Sequence, residues 1–264
     1  MKRVHWSSRE MSAYLKREED ISVSRSVIVR IWKEHDLQPW RQGTFKLSRD
    51  PECAEKVIDI VGLYPDPPDG AVVLSVDEKT QVQALERTQP LLPITFSKNE
   101  KRTHDYVRHG TTNLFAALDI ATGEVEGKCF PRRRTGKFIT FMNEVTRRHA
   151  DRELHVVLDN LSTHSGPEVD AWLDAHPNVR FHYTPIGSSW LNQIEIWFGI
   201  IIRQDIRRGS FGSLRIPVDT INAYIANWNA DARPFAWTAK PKEIIAKVRV
   251  LQRDYKRLIT NNTK

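Results

Sequence analysis

Two stretches of sequence, Val72-Val73-Leu74-Ser75-Val76-Asp77 and His155-Val156-Val157-Leu158-Asp159, decide the fold of this chain. Each is a short apolar run rich in β-branched residues, which is typical of a strand buried on both faces, and each ends on an aspartate. In a sheet with parallel strands, the carboxyl ends of the strands face the crevice where ligands bind. We therefore expect Asp77 and Asp159 to converge on one site, although an aspartate after a strand can also serve only to begin a turn.

Further strands and helices alternate around these two stretches. The alternation predicts an α/β fold in which helices cover a mixed sheet with parallel pairs. Ala121-Thr122-Gly123 predicts a hairpin turn. The remaining predicted elements are strands over Thr112–Asp119, Glu124–Phe130 and Val179–Tyr183, and helices over Thr135–His149 and Glu168–Ala175.

The amino-terminal part of the chain predicts two short helices joined by a turn, over residues 6–37. Ser7 followed by Glu10 is a capping box, and a second helix can begin near Ser24 and end before Pro39. Such a pair is typical of a helix-turn-helix that binds DNA, although it could also be a hairpin that only packs on the core. Prolines and a glycine in residues 64–70 then favour a domain boundary. The predicted organisation is a helix-turn-helix segment over 1–45, a linker over 46–70, and a catalytic domain with carboxy-terminal helices over 71–264.

Composition narrows the classes of function. The chain has 40 Lys and Arg against 33 Asp and Glu, with a net charge of +7, and this balance favours a polyanionic partner such as nucleic acid. No apolar run is long enough for a membrane span or a signal peptide, so we expect a cytoplasmic protein. Cys53 and Cys129 lie far apart in the sequence, so we interpret both as incidental reduced thiols.

Glu195 stands out in a third stretch. Residues 190–203 predict a helix whose apolar face contains Leu191, Phe198 and Ile202, and helical spacing places Glu195 in the middle of that face. An isolated buried carboxylate is costly, so it must be neutral, paired with a cation, or bound to a metal ion. A buried ion pair with an arginine is the alternative that the residues leave open.

Three carboxylates without a nearby thiolate favour Mg²⁺ or Mn²⁺, which bind hard oxygen ligands and accept phosphate oxygens from a substrate. Two such ions could activate an attacking oxygen and stabilise the leaving oxygen during displacement at phosphorus. The residues therefore favour phosphodiester chemistry.

Taken together, these residues resemble the DDE transposases of the mariner-type superfamily, in its bacterial insertion-sequence branch. The resemblance rests on Ser75-Val76-Asp77-Glu78-Lys79-Thr80, with Gln89-Pro90 after it, and on Val157-Leu158-Asp159-Asn160-Leu161-Ser162-Thr163-His164. It also rests on Tyr183-Thr184-Pro185 and on Ser189 through Phe198, in the sequence SWLNQIEIWF. The ordered combination covers nearly the whole chain.

The resemblance implies a ribonuclease-H-like fold with Asp77, Asp159 and Glu195 as catalytic and metal-binding residues, holding two Mg²⁺ or Mn²⁺ ions. It implies cleavage by water at the transposon ends, followed by attack of the freed 3′-hydroxyl on target DNA. The implied partners are the terminal repeats, the target DNA and a second copy of the chain, at the bacterial nucleoid. No membrane and no small-molecule cofactor are expected.

Other residues are candidates for contacts with DNA or for orienting the carboxylates. Asn160 and His164 match the motif around the second aspartate, although His164 could simply cap the following helix. Glu78 is expected to point away from Asp77, because successive strand residues face opposite sides of a sheet. The remaining candidates are Arg132, Arg133, Arg134 and Lys137, which form a basic cluster suited to phosphate contacts or to a solvated helix start, together with Trp190, Asn192, Ser24 and Arg25.

Family members usually have a further helix-turn-helix unit upstream, so this chain is expected to be a fragment of a longer or frameshifted reading frame. Three other functions stay open from the sequence. They are a truncated, non-catalytic regulator that binds the transposon ends, another ribonuclease-H-like nuclease, and a phosphohydrolase of small molecules.

Overall fold

A computed structural model describes residues 6–41, 48–90, 92–96, 98–101 and 103–262. The chain divides into two compact units, the first ending at Lys46 and the second beginning at Leu47. The predicted boundary at residues 45 and 46 lies outside the described residues. No helix in the described ranges is both long enough and apolar enough to cross a bilayer.

The first unit contains helices α1 (Ser8–Glu18) and α2 (Arg25–Glu34). The predicted capping box is present, since the Ser7 hydroxyl accepts from the Glu10 N–H and the Glu10 carboxylate accepts from the Ser7 N–H. Ser24 caps α2 by accepting a hydrogen bond from the Val27 N–H. Between the helices, Asp20 has a φ of 53°, the left-handed conformation for which a turn normally uses glycine. Both predicted helices are therefore confirmed.

The second unit is built on five strands: β1 (Val72–Arg87), β2 (Tyr106–Asp119), β3 (Val125–Phe130), β4 (Leu154–Leu158) and β5 (Val179–Tyr183). Their spatial order is β3-β2-β1-β4-β5. β1 pairs with β2, and β2 with β3, in antiparallel fashion, whereas β1–β4 and β4–β5 are parallel. The predicted mixed sheet is thus confirmed, with β1 at its centre.

Helices cover both faces of this sheet. They are α3 (Cys53–Leu63), α4 (Thr135–Arg148), α5 (Pro167–Asp174), α6 (Ile194–Gln204), α7 (Arg215–Asn229) and α8 (Pro241–Asn262). On one side, here called the α6 face, Val73 and Val157 of the sheet pack with Trp197 and Phe198 of α6. On the other, the α4 face, alternate strand residues pack with Phe138 and its neighbours on α4. Because β4 and the inner parts of β1 and β2 are covered on both sides, both sets of their side chains are mostly apolar, as the unbroken apolar runs predict.

Four predicted boundaries were wrong, and one of them is the start of β2, which lies at Tyr106 rather than at Thr112. β1 does not end at Asp77 but continues to Arg87, because its polar second half forms a long hairpin with residues 106–112 of β2. The predicted linker over 46–70 contains α3, whose Val57 and Ile60 are buried in the second unit. The predicted helix over 190–203 begins only at Ile194, after a short 3₁₀ turn over Ser189–Leu191.

The hairpin of β1 and β2 contains two interruptions of its register. Lys79 pairs with Leu114 and Val82 with Thr112, so β1 has one extra residue there. Gln83 then pairs with Thr111 and Leu85 with Arg108, so β2 has the extra residue at the second interruption. Both are β-bulges, and the buried half of β1 that bears Asp77 lies on the inner side of them.

Candidate active site

Asp77 lies in the middle of the central strand, where its carboxyl group is buried on the α6 face, with 6% of the residue exposed. The Glu78 N–H donates a hydrogen bond of 2.7 Å to Asp77 Oδ1. Burial raises the pKa of Asp77 to about 7, and the negative charges of Asp159, Glu78 and Glu195 contribute to that rise. Its surroundings therefore resist the charged form unless a cation is present.

Asp159 follows directly after β4, the parallel neighbour of β1. The ladder pairs Ser75 with Val157, and two further residues along each strand lead to Asp77 and Asp159. Because side chains alternate along a strand, Asp77 belongs to the same side as Val73, which is the α6 face. Asp159 lies just beyond the end of β4, and its charge contributes to the raised pKa of Asp77. The parallel register of β1 and β4 therefore supports the prediction that the two aspartates lie close together.

Glu195 occupies the first turn of α6, and its predicted position in the buried face was wrong. The face that packs on the sheet consists of Ile194, Trp197, Phe198 and Ile201, whereas Glu195 is exposed. Leu191 belongs to the preceding 3₁₀ turn and Ile202 is only half-buried, so the buried face is centred on Trp197 and Ile201 and turned away from Glu195.

The carboxyl group of Glu195 nevertheless lies in the electrostatic field of the two aspartates. Partial desolvation raises its pKa, Lys79 opposes that rise, and Asp159 adds to it. The negative charge of Glu195 in turn raises the pKa of Asp77. Among the described residues, the charges that act on Glu195 are thus a neighbouring carboxylate and one lysine rather than the arginine partner that the sequence left open.

The three carboxylates fit a divalent cation by their chemistry. Carboxylate oxygens are the ligands that Mg²⁺ and Mn²⁺ prefer. The three carboxylates repel one another, and a bound cation would neutralise this excess of negative charge. Within the described ranges, no three His, Cys, Asp or Glu side chains are gathered closely enough to hold one ion by themselves. Water and substrate oxygens would therefore have to complete the coordination, as is usual for Mg²⁺.

His164 is fully buried and does not cap the following helix, because the N-cap of α5 is Gly166 and no side chain caps it. Its Nε2 lies 2.9 Å from Glu78 Oε1, and its Nδ1 lies 2.9 Å from Asp159 Oδ1. Burial alone would lower the pKa of His164, but the ion pairs with Asp159 and Glu78 outweigh burial and raise it to about 10. Glu78 faces away from Asp77, as strand alternation predicts, yet it reaches the second aspartate through this histidine.

Asn192 connects the start of α6 to the central strand. It is fully buried, and its Nδ2 donates a hydrogen bond of 2.8 Å to the carbonyl oxygen of Val76, the residue before Asp77. Tyr64 of the neighbouring segment donates to the Leu191 carbonyl at 2.6 Å. These bonds fix the position of the turn from which Glu195 emerges, and an orienting role for the buried Asn192 stays a prediction.

The other candidates are exposed, and a role in DNA binding stays a prediction for each. Trp190 is half exposed, and Asn160 lies on the surface next to Asp159. The sequence did not single out Lys79, whose positive charge lowers the pKa of Glu195. Its only signal in the sequence is a cation two residues after Asp77. The exposed basic candidates near α4 are Arg132, Arg133, Arg134 and Lys137, and those at the start of α2 are Ser24 and Arg25.

Comparison with known proteins agrees with this geometry. The family model described as DDE superfamily endonuclease matches residues 73–215, a span that includes all three carboxylates. A curated protein of Shigella sonnei, the insertion element IS630 uncharacterized 39 kDa protein, is 30% identical over 87 residues, or 32% of this chain. That match spans only 25% of the curated relative's length.

Solved structures show the same fold. The Mos1 strand transfer complex has a TM-score of 0.56 at 12% identity, covering 100% of this chain and 80% of that one. The Mos1 mariner paired-end complex with Mn has a TM-score of 0.52 at 12% identity, covering 99% and 80%. The ribonuclease-H-like architecture predicted from the sequence is thereby confirmed. Because the family model matches more than half of its length, the chain belongs to the DDE superfamily endonucleases.

Proposed function

We propose that this chain is a transposase that cuts DNA at transposon ends and joins the freed ends to target DNA. The single observation that supports this most is the electrostatic grouping of Asp77, Asp159 and Glu195, inside the span that matches the endonuclease family. The curated relative is an insertion-element protein, and one structural neighbour is the Mos1 transposase paired-end complex with the left transposon end. The proposed ions are two Mg²⁺ or Mn²⁺.

In this proposal each carboxylate has a distinct task. Asp77, fixed in the central strand, and Asp159, at the end of the adjacent strand, would provide oxygens on one side of the site. Glu195 would provide a third from the start of α6. When bound, the ions would lower the pKa of an attacking water or 3′-hydroxyl and stabilise the oxygen that leaves phosphorus.

DNA binding is assigned to positively charged and exposed parts of the chain. The basic cluster over Arg132–Arg134 with Lys137 lies on the surface at the start of α4 and would contact phosphates. In the first unit, Ser24 and Arg25 begin α2, the helix proposed to lie against the terminal repeat. Synapsis of two ends requires two active sites, so we propose a homodimer acting at the nucleoid.

The test is nicking of a supercoiled plasmid bearing the element's ends, with Mn²⁺ or with a chelator. We compare the natural protein with Asp159→Ala, and with Asp174→Ala as a matched control, because Asp174 is an exposed aspartate at the end of α5. Nicking should need the metal and Asp159 but not Asp174. Salt-sensitive binding of DNA without cleavage under any of these conditions would refute the catalytic assignment.

A further inference from the structure

We propose that Glu78 and His164 are a positioning pair for the Asp159 carboxylate, with Glu78 holding the imidazole and the imidazole holding Oδ1 of Asp159. This inference rests on the proposed function, in which Asp159 binds a divalent cation. Neither residue would touch the ion or the DNA; both would act through Asp159.

Asp159 needs such support because of where it lies. Asp77 is part of a strand and Glu195 part of a helix, but Asp159 follows β4 on irregular backbone. A ligand on irregular backbone is held less precisely than one on a strand or helix, so its orientation depends on side-chain contacts. The described contacts to Oδ1 are the Leu161 N–H at 3.3 Å and His164 Nδ1 at 2.9 Å. They leave Oδ2 to serve as the ligand.

The imidazole of His164 has contacts at both of its nitrogens and at its ring. Its two nitrogens lie against carboxylate oxygens, with Nδ1 also 3.2 Å from the Asp159 carbonyl oxygen. Since carbonyl and ionised carboxylate oxygens accept hydrogen bonds, both nitrogens are placed to donate to them. The Phe138 ring lies 4.6 Å from the imidazole centroid, and the Tyr183 hydroxyl donates to the His164 carbonyl at 2.7 Å. The imidazole therefore cannot rotate without losing both ion pairs.

The position of Glu78 is difficult to explain by stability. Its side chain is 1% exposed and that of His164 is fully buried, and the Glu78 Oε2 atom has no hydrogen-bond partner among the described residues. A buried ion pair gains little over well-packed apolar residues of similar size, and an unsatisfied oxygen adds a cost. The arrangement connects Glu78 of the central strand to the Asp159 carboxylate beyond the end of β4. A positioning role accounts for that connection.

Two substitutions of His164 separate its two contacts. The amide nitrogen of asparagine can occupy the place of Nδ1, and that of glutamine the place of Nε2. His164→Asn should therefore retain the contact to Asp159, and His164→Gln should retain only the contact to Glu78. Glu78→Gln keeps the volume and an acceptor oxygen but removes the charge. The matched control is His176→Gln, because His176 bonds only to Trp172 in the described contacts and stacks on its ring.

The primary measurement is Mn²⁺ affinity of the full chain without DNA, by electron paramagnetic resonance, with circular dichroism to verify folding. We expect His164→Gln to weaken Mn²⁺ binding about 10-fold to 100-fold, as is typical when a partner of a metal ligand is lost. Glu78→Gln should weaken it less, His164→Asn should restore part of the loss, and His176→Gln should have no effect. The Mn²⁺ concentration for half-maximal nicking should follow the same order.

Unchanged Mn²⁺ affinity in folded His164→Gln would overturn the positioning role while leaving the proposed function intact. If that variant does not fold, Glu78→Gln decides, and unchanged affinity there overturns the inference equally. A natural protein that binds no Mn²⁺ would refute the proposed function and, with it, this inference.

Discussion

Replacing Asp77 with asparagine should make the metal-free protein more stable while removing its activity. The pKa of Asp77 rises from an ordinary 3.8 to about 7, chiefly through burial. Each tenfold change in an ionisation constant corresponds to about 1.4 kcal/mol, so the ionised carboxylate destabilises the folded state by up to roughly 4 kcal/mol. Water entry and side-chain relaxation reduce such values, and we expect a gain of about 1–3 kcal/mol for Asp77→Asn. The asparagine Oδ1 can still accept the bond from the Glu78 N–H.

The sign of the pH dependence follows from linkage. An acid whose pKa is raised by folding holds its proton more tightly in the folded state, so its cost grows as pH rises from 3.8 through about 7. Urea unfolding with chelator should therefore show a large difference between Asp77→Asn and the natural protein at about pH 8, and a much smaller one at about pH 5. Nicking should be absent in the variant throughout.

Metal binding provides the complementary measurement. Mn²⁺ at about 100 times its dissociation constant should stabilise the natural protein by about 2.7 kcal/mol, because only the folded state binds it. The same addition should leave Asp77→Asn nearly unchanged. The reasoning is refuted if Asp77→Asn is less stable than the natural protein at about pH 8 without metal, or if both proteins gain equally from Mn²⁺.

Three further predictions concern the sheet and its helices. Phe138→Ala should lower the free energy of unfolding by about 3–5 kcal/mol in urea, because the ring is fully buried on the α4 face; a loss below about 1 kcal/mol would contradict this packing. Gly123→Ala should lower the melting temperature, since Gly123 has a φ of 78° and an added Cβ would lie 2.2 Å from the Arg233 carbonyl oxygen. An unchanged melting temperature would contradict the described turn. Glu126→Gln should raise the urea midpoint much more at about pH 8 than at about pH 5, because burial raises the pKa of Glu126 from 4.5 to about 7 and its ionisation weakens the fold as pH rises. Equal midpoint shifts at both pH values would indicate that the change acts through packing instead.

The strands were predictable because their apolar runs are continuous and end at charged or turn residues. Both aspartates could be found in the same way, since each follows such a run. The far end of β1 could not, because its polar second half resembles a loop until its hairpin partner is known. Helix α3 was overlooked because the prolines over residues 64–70 suggested a linker, although Val57 and Ile60 already have helical spacing.

Glu195 shows a different limit of sequence reasoning. Its identity was predicted from resemblance and from helical spacing, but the spacing was counted from a helix start that lies four residues too early. The pairing of Glu78 with His164 was not predictable from spacing at all. Their positions are 86 residues apart in the sequence and meet only because β1 and the turn after β4 are brought together by the sheet.

The paired bulges of the β1–β2 hairpin have a consequence for sequence change. The extra residue near Gln81 on β1 and the one near Gly110 on β2 displace the ladder in opposite senses, so the outer pairs such as Leu85 with Arg108 return to the original alignment. Deleting a single residue at either bulge would exchange inward and outward side chains only in the hairpin's outer half. Asp77 and Glu78 lie on the inner side and would keep their opposite orientations. The outer hairpin can therefore gain or lose residues, in evolution or by engineering, as a module separate from the carboxylates.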